Sequence, residues 1–186
     1  MTSFLVTAPS LLPVSLEVAR AALRIDDDDT SKDDEISTFI AGVTQELEDT
    51  IGQCIMPQAW RVKGADFASL VLPHPVTTVT SIGYRDASGT TQSLATDQVR
   101  VVIERYASNL VAANGVTLPV TDGAADAVTV DVGVGMATSQ DNVPPAIVLY
   151  VKQRLKQQFD PAARLERDTV QSNYIETLIR QFKVKP

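Results

Sequence analysis

Between Ser31 and Gly52, apolar residues return every three or four positions: Ile36, Phe39, Ile40, Val43, Leu47 and Ile51. That spacing puts all six on one stripe of a long α-helix. Such a stripe must be covered by other elements, so this feature alone rules out an isolated or fully solvated helix. Asp33, Asp34 and Glu35 stand where the positive end of the helix dipole favours carboxylates, and Gly52 suits the left-handed residue that ends the helix. A shorter helix precedes it. Ser15 can cap that helix, and Leu16, Ala19 and Leu23 share one face. The run Asp26 to Asp29 is expected to stop it, with Arg24 balancing the local charge and the helix C-terminus.

After this region the period changes from 3.6 to 2. In QAWRVK, Trp60 and Val62 fall on one side, and Trp60 reads as a core anchor where sheet meets helix. Pro73 and Pro75 suit an edge or a bend. The segment TVTSIGYRDASGTTQSL reads as a hairpin, with Thr80, Ile82 and Tyr84 on one face and the turn at Asp86-Ala87-Ser88-Gly89. Val99, Val101 and Ile103 alternate, and Ala113-Asn114-Gly115-Val116 is a turn candidate. The clearest strand is DAVTVDVGV, where Val128, Val130, Val132 and Val134 share a face.

Helical spacing returns after Pro144-Pro145, where proline is compatible with a first turn. Ile147, Val151 and Leu155 recur at intervals of four, Val148 and Phe159 widen the stripe, and Asp160-Pro161 is expected to close this helix. A final helix would carry Val170, Tyr174, Leu178 and Phe182 before the tail Lys183-Val184-Lys185-Pro186. The expected class is therefore α+β: a bundle of two N-terminal helices (12–56) and two C-terminal helices (143–186), with a β-rich insertion (57–135) between the halves, all in a single domain over residues 1–186. The length of 186 residues suits one such core. With only 5% aromatic residues, aliphatic side chains and alanine must fill it.

Charge restricts the partners. The net charge of −7 argues against a sequence-independent grip on DNA. Residues 1–151 hold 8 basic and 19 acidic residues, whereas 152–186 hold 8 basic and 4 acidic, so an acidic body carries a basic tail. That tail suits either an acidic partner or a solvated amphipathic helix. No run approaches the ~18 apolar residues of a membrane span, and MTSFLVTAPSLLP lacks the positive start of a signal peptide. The N-terminal segment has a second reading as an extended arm packed on another surface. Assembly in a cytosol is expected.

Candidate chemistry is sparse. Cys54 is the only cysteine, which excludes an internal disulfide framework, and it reads as a small buried residue near a helix end. His74, the only histidine, sits between two prolines and reads as structural or solvent-exposed. There is no phosphate loop, and Gly133-Val134-Gly135 reads as a strand ending in a turn. Counting an EF-hand from Asp27 puts Asp29 and Ser31 at the third and fifth positions. Lys32 then takes the glycine position and Thr38 replaces the bidentate glutamate, which is not an EF-hand. Asp26, Asp27, Asp28 and Asp29 therefore read as a solvated helix boundary or a loose cation site. If the chain lines a DNA channel, they read instead as carboxylates that repel phosphate. No cofactor, metal site or catalytic residue is expected.

The order of elements and the segments SLEVARAALRIDDDD, EDTIG, MPQAW and LPHPVTTVTSIGYRDASG resemble the head–tail connector (adaptor, or head-completion) proteins of long-tailed bacteriophages. The resemblance covers residues 12–94 well and 126–159 moderately. It implies a non-enzymatic virion protein of the neck, made in the host cytoplasm, that forms a closed ring of about twelvefold symmetry beneath the portal. The ring would extend the DNA channel towards the tail, with DNA passing through it without sequence-specific binding, and would touch no membrane. Its implied partners are the portal protein, neighbouring copies, and a tail-side stopper or terminator. The alternatives are that the chain is itself a stopper or tail-terminator subunit, a small enzyme with an unrecognised carboxylate site, or a non-viral protein-binding module. On this reading the C-terminal set Arg164, Arg167, Val170, Tyr174, Leu178, Arg180, Phe182, Lys183 and Lys185 either folds back on its own bundle or docks on a neighbour or the portal.

Overall fold

A computed structural model describes residues 2–105, 107–159 and 176–184. In chain order the elements are β1 (Thr2–Thr7), α1 (Leu16–Leu23), α2 (Asp33–Ile51), β2 (Gln58–Gly64), β3 (Val76–Arg85), β4 (Thr91–Ser93), β5 (Val99–Ile103), β6 (Ser108–Ala112), β7 (Val128–Val134) and α3 (Pro145–Phe159). Residues 176–180 are also helical. The class is mixed α and β with antiparallel sheets. The chain divides into two compact units. One is drawn from Met1–Ser10, Pro57–Met136 and Val184–Pro186, the other from Leu11–Met56 and Ala137–Lys183.

In the strand-bearing unit, the five-stranded sheet has the order β1-β2-β7-β3-β4. β7 lies at its centre because its alternation is the cleanest: Val128, Val130, Val132 and Val134 are all buried, while Thr129, Asp131 and Gly133 face the other side. A Cβ on Gly133 would meet Thr78 Oγ1 at 2.5 Å, so the close pairing of β3 on β7 needs glycine there. The outer face carries a cross-strand polar ladder. Arg61 donates to both carboxylate oxygens of Asp131 at 2.6 and 2.8 Å, and the Ser81 hydroxyl donates to the same carboxylate at 2.9 Å. β5 and β6 form a separate two-stranded sheet.

Three expectations change here. The N-terminal segment is a sheet strand, β1, paired with β2 from Thr2 opposite Lys63 to Leu5 opposite Trp60. Trp60 is half-buried and is no core anchor; its indole N–H donates to Gln58 Oε1 at 3.1 Å. Thr80 is exposed because the register shifts between Val79 and Ser81, leaving Val79 opposite Val132. The hairpin turn at Asp86–Gly89 and the turn at Ala113–Val116 form as expected, with Gly89 at φ 80° and Gly115 at φ 78°.

In the helical unit, α1, α2 and α3 pack on one another. Ser15 caps α1, its hydroxyl accepting from Val18 N–H at 3.2 Å. The α2 stripe is buried at Ile36, Ile40, Val43, Leu47 and Ile51, whereas Phe39 is half-buried and meets Phe159 of α3 edge to face at 5.7 Å. Thr44 is also buried on that face, its hydroxyl donating to the Ile40 carbonyl at 2.6 Å. α3 buries Ile147, Val151 and Leu155, together with Tyr150, and keeps Val148 half-buried. Its closure at Asp160-Pro161 lies outside the described residues. Arg154 of α3 pairs with Glu46 of α2 at 2.8 Å. The first and second stretches of this unit join through Ala137 N–H, which donates to the Ile55 carbonyl at 3.0 Å.

Candidate functional site

The charged features singled out in the sequence gather at the ends of the helices. α1 stops at Leu23, before the acidic run. Arg24 takes the left-handed conformation at φ 59°, and Ile25 N–H reaches back to the Arg20 carbonyl at 3.0 Å. Arg24 thus ends the helix by its backbone. The side chain that holds the following loop is Arg20, one turn earlier. Its guanidinium donates to the Asp27 carbonyl and lies 3.6 Å from the Asp33 carboxylate at the start of α2.

Asp26, Asp27, Asp28 and Asp29 all lie exposed on this loop. Asp29 N–H donates to the Asp26 carbonyl, and the Asp29 carboxylate accepts from Ser31 N–H at 3.0 Å. Hydrogen bonding by Ser31, through its hydroxyl and its backbone, holds the Asp29 carboxyl below the usual carboxylate range. The loop therefore presents a compact negative display to solvent. Among the described residues, no group of three or more histidine, cysteine, aspartate or glutamate side chains is arranged to hold a metal ion. Beside the loop, Arg24, Lys32 and Lys156 line a cleft together with Leu23, Ile25 and Phe159.

Of the C-terminal set, Leu178, Arg180, Phe182 and Lys183 are described; Arg164, Arg167, Val170, Tyr174 and Lys185 lie outside the described residues. Ile179, which the four-residue spacing passes over, is the buried anchor at 2% exposure, while Leu178 and Phe182 are half-buried. The Gln53 amide donates to the Phe182 carbonyl. A cleft is lined by Glu46 and Thr50 of α2, Tyr150 and Arg154 of α3, and Glu176, Ile179 and Lys183 of this turn. Arg180 and Lys183 stay exposed.

The remaining reactive residues are enclosed. Burial, with Glu48 adding to it, pushes the Cys54 thiol up to about 12, so no thiolate is present at neutral pH. His74 is buried, and its Nδ1 sits 2.9 Å from the hydroxyl oxygen of Ser108, which also accepts from Val76 N–H at 3.0 Å. Ser108 is only 2% exposed, so this histidine–serine pair ties the start of β3 to β6 and offers substrate no access. Burial lowers the His74 pKa. Ser108 lies 34 residues from its partner, and no local spacing signals the pairing.

No protein-family model matches the chain, and no curated protein matches it. Solved structures do. A chain in the neck of an empty gene transfer agent particle, computed with C6 symmetry, superposes with a TM-score of 0.77 at 20% identity, over 100% of this chain and 97% of that one. A chain in the virion of a native gene transfer agent particle gives 0.77 at 18% identity with the same coverage. A chain in the neck of a native particle computed with C12 symmetry gives 0.65 at 22%, again over 100% and 97%. The chain is similar in fold to these proteins along its whole length.

Proposed function

We propose that the chain is a structural subunit of the neck of a phage-like particle, a ring adaptor beneath the portal that joins the DNA-filled head to the tail. The observation that carries this reading is the full-length likeness of fold to chains of particle necks and virions, on both sides of the comparison. The His74–Ser108 pair and Cys54 are enclosed, and their burial is compatible with a structural subunit. The whole chain acts as one connector subunit, with the helices as a bundle that forms the wall and the β-rich segment 57–135 between its halves making lateral or tail-side contacts.

In this role Asp26–Asp29 face the channel, where exposed carboxylates keep DNA phosphates from adhering. Arg180 and Lys183, together with the basic residues 164, 167 and 185, supply the charge that meets an acidic surface of the portal. The partners are the portal, neighbouring copies in a ring of about twelvefold symmetry, a tail-side stopper or terminator, and DNA in transit. A tail-side stopper or terminator would share the neck location but bind tail rather than portal. A non-viral binding module would appear in no particle.

The test is removal of the gene from a particle-producing strain, with imaging of what assembles. Filled or leaky heads that carry portal but lack tails, restored by adding the purified chain, are the expected result. Heads with a complete neck beside tails that are unfinished or of irregular length would move it to the tail side, and normal particles would refute the neck role.

A further inference from the structure

The five-stranded sheet ends in β1, which pairs with β2 and, among the described residues, has no strand on its other side. An open edge presents a row of backbone donors and acceptors, and folded proteins protect such edges with charges, proline or irregularity. β1 reads TSFLVT, without a charge or a proline. Its one irregularity falls between Leu5 and Thr7, leaving Thr2–Leu5 regular. Every residue of the strand is exposed, and three consecutive large apolar side chains stand at 39% (Phe4), 45% (Leu5) and 54% (Val6). Because neighbouring residues point to opposite faces, apolar surface is open above and below the edge.

β5 offers a second edge of matching length. Among the described residues it pairs with no strand but β6; it reads VRVVI and ends in Ile103 at 56% exposure. The remaining edge strand of the larger sheet, β4, has three residues and no apolar side chain. Around a cyclic ring every contact is heterologous, so one patch must meet a different patch on the next copy. Two copies of β1 paired with each other would close a two-fold dimer and stop there.

We propose that β1 of one copy adds to β5 of its neighbour, a repeated strand addition that links the subunits of the ring. This interface rests on the ring-forming role proposed above. Backbone hydrogen bonds give the contact its strength, and Leu5 and Phe4 cover the two faces of the neighbour's strand.

The experiment uses the full chain assembled on portal-bearing heads. In a Cys54→Ser background, Leu5→Cys and Val101→Cys are introduced together and singly, and necks are treated with a short bismaleimide. A ladder of linked chains with the pair, and none with either single variant, is expected. Leu5→Lys is then expected to melt like the unaltered chain and to leave heads without the ring. Dimers from Leu5→Cys alone would show β1 meeting β1 and overturn the inference. A ring that persists with Leu5→Lys, or a pair that yields no ladder, would overturn this interface while leaving the neck role intact. If the unaltered chain forms no ring on heads, the neck role falls, and this inference with it.

Discussion

Gly42 sits at the centre of the 19-residue helix α2, on its exposed side, and a Cβ built there meets no atom within 4 Å. Replacement by alanine therefore adds no clash and removes no contact in the subunit. What changes is the backbone freedom lost on folding, which makes glycine about 0.8–1.0 kcal/mol worse than alanine in a helix interior. Gly42→Ala is expected to stabilise the chain by about that amount. If the chain melts as a single transition, the midpoint rises by about 2–4 °C; if the helical unit melts separately, its smaller entropy of unfolding raises the shift to about 4–8 °C. Calorimetry of the purified chain reads both the size of the shift and the number of transitions. An unchanged or lowered midpoint would refute the reasoning, since it would mean that the helix is interrupted at Gly42 or that this face is packed. A stabilised subunit that assembles poorly into the neck would locate a neighbour on that face.

Leu47→Asp places a carboxylate at a fully buried position of the α2 stripe, and is expected to cost several kcal/mol and abolish cooperative melting of the helical unit; a wild-type melting curve would show the stripe misassigned. Cys54→Ser should leave folding and particle assembly intact, because the protonated thiol does no chemistry, and loss of assembly by a folded variant would contradict this. Asp86 accepts hydrogen bonds from Ser88, Thr90 and Gln92, led by the Ser88 hydroxyl, which hold its carboxyl down at about 2. A depressed folded value means that the stabilisation is complete above the unfolded value near 4 and is lost as the pH falls through 2. The melting gap between the unaltered chain and Asp86→Ala should thus be constant from pH 7 to 5 and shrink below pH 4, and a gap independent of pH would exclude the ionised carboxylate as its source. His74, lowered by burial, has the same sign in a higher pH window: the unfolded chain takes up its proton first, so stability should fall as pH drops below 6.5, and this part of the fall should be absent in His74→Gln.

The parts of the fold legible in the sequence are those written in local periodicity. α2, β7 and the hairpin at Asp86–Gly89 each satisfy their own pattern within a dozen or so residues. What escaped depends on partners far along the chain. TSFLVT looks like an apolar arm until β2 pairs with it, and nothing local says that β7 enters the sheet between β2 and β3. Trp60 pairs across the strands with Leu5, near the sheet edge, so its size did not bring it into the core. In the candidate sites, the exposed acidic run could be read directly, whereas Arg20, Ser108 and Ile179 could not. Their roles come from a side chain that reaches a loop residue 7 positions on, a contact across 34 residues, and burial of a helix face that local spacing passes over.

The hydrogen bond from Ala137 to Ile55 joins the two stretches of the helical unit across everything between them, and this has a consequence for the newborn chain. α1 and α2 leave the ribosome early, with Ile36, Ile40, Leu47 and Ile51 unable to find Ile147, Val151 and Leu155 until roughly 100 further residues have been added. At about 5–20 residues per second that interval is on the order of 5–20 s. Throughout it an apolar helical stripe is open to any neighbour on the same polysome. Lowering the translation rate across residues 57–136 would lengthen that exposure without touching a single contact of the finished subunit.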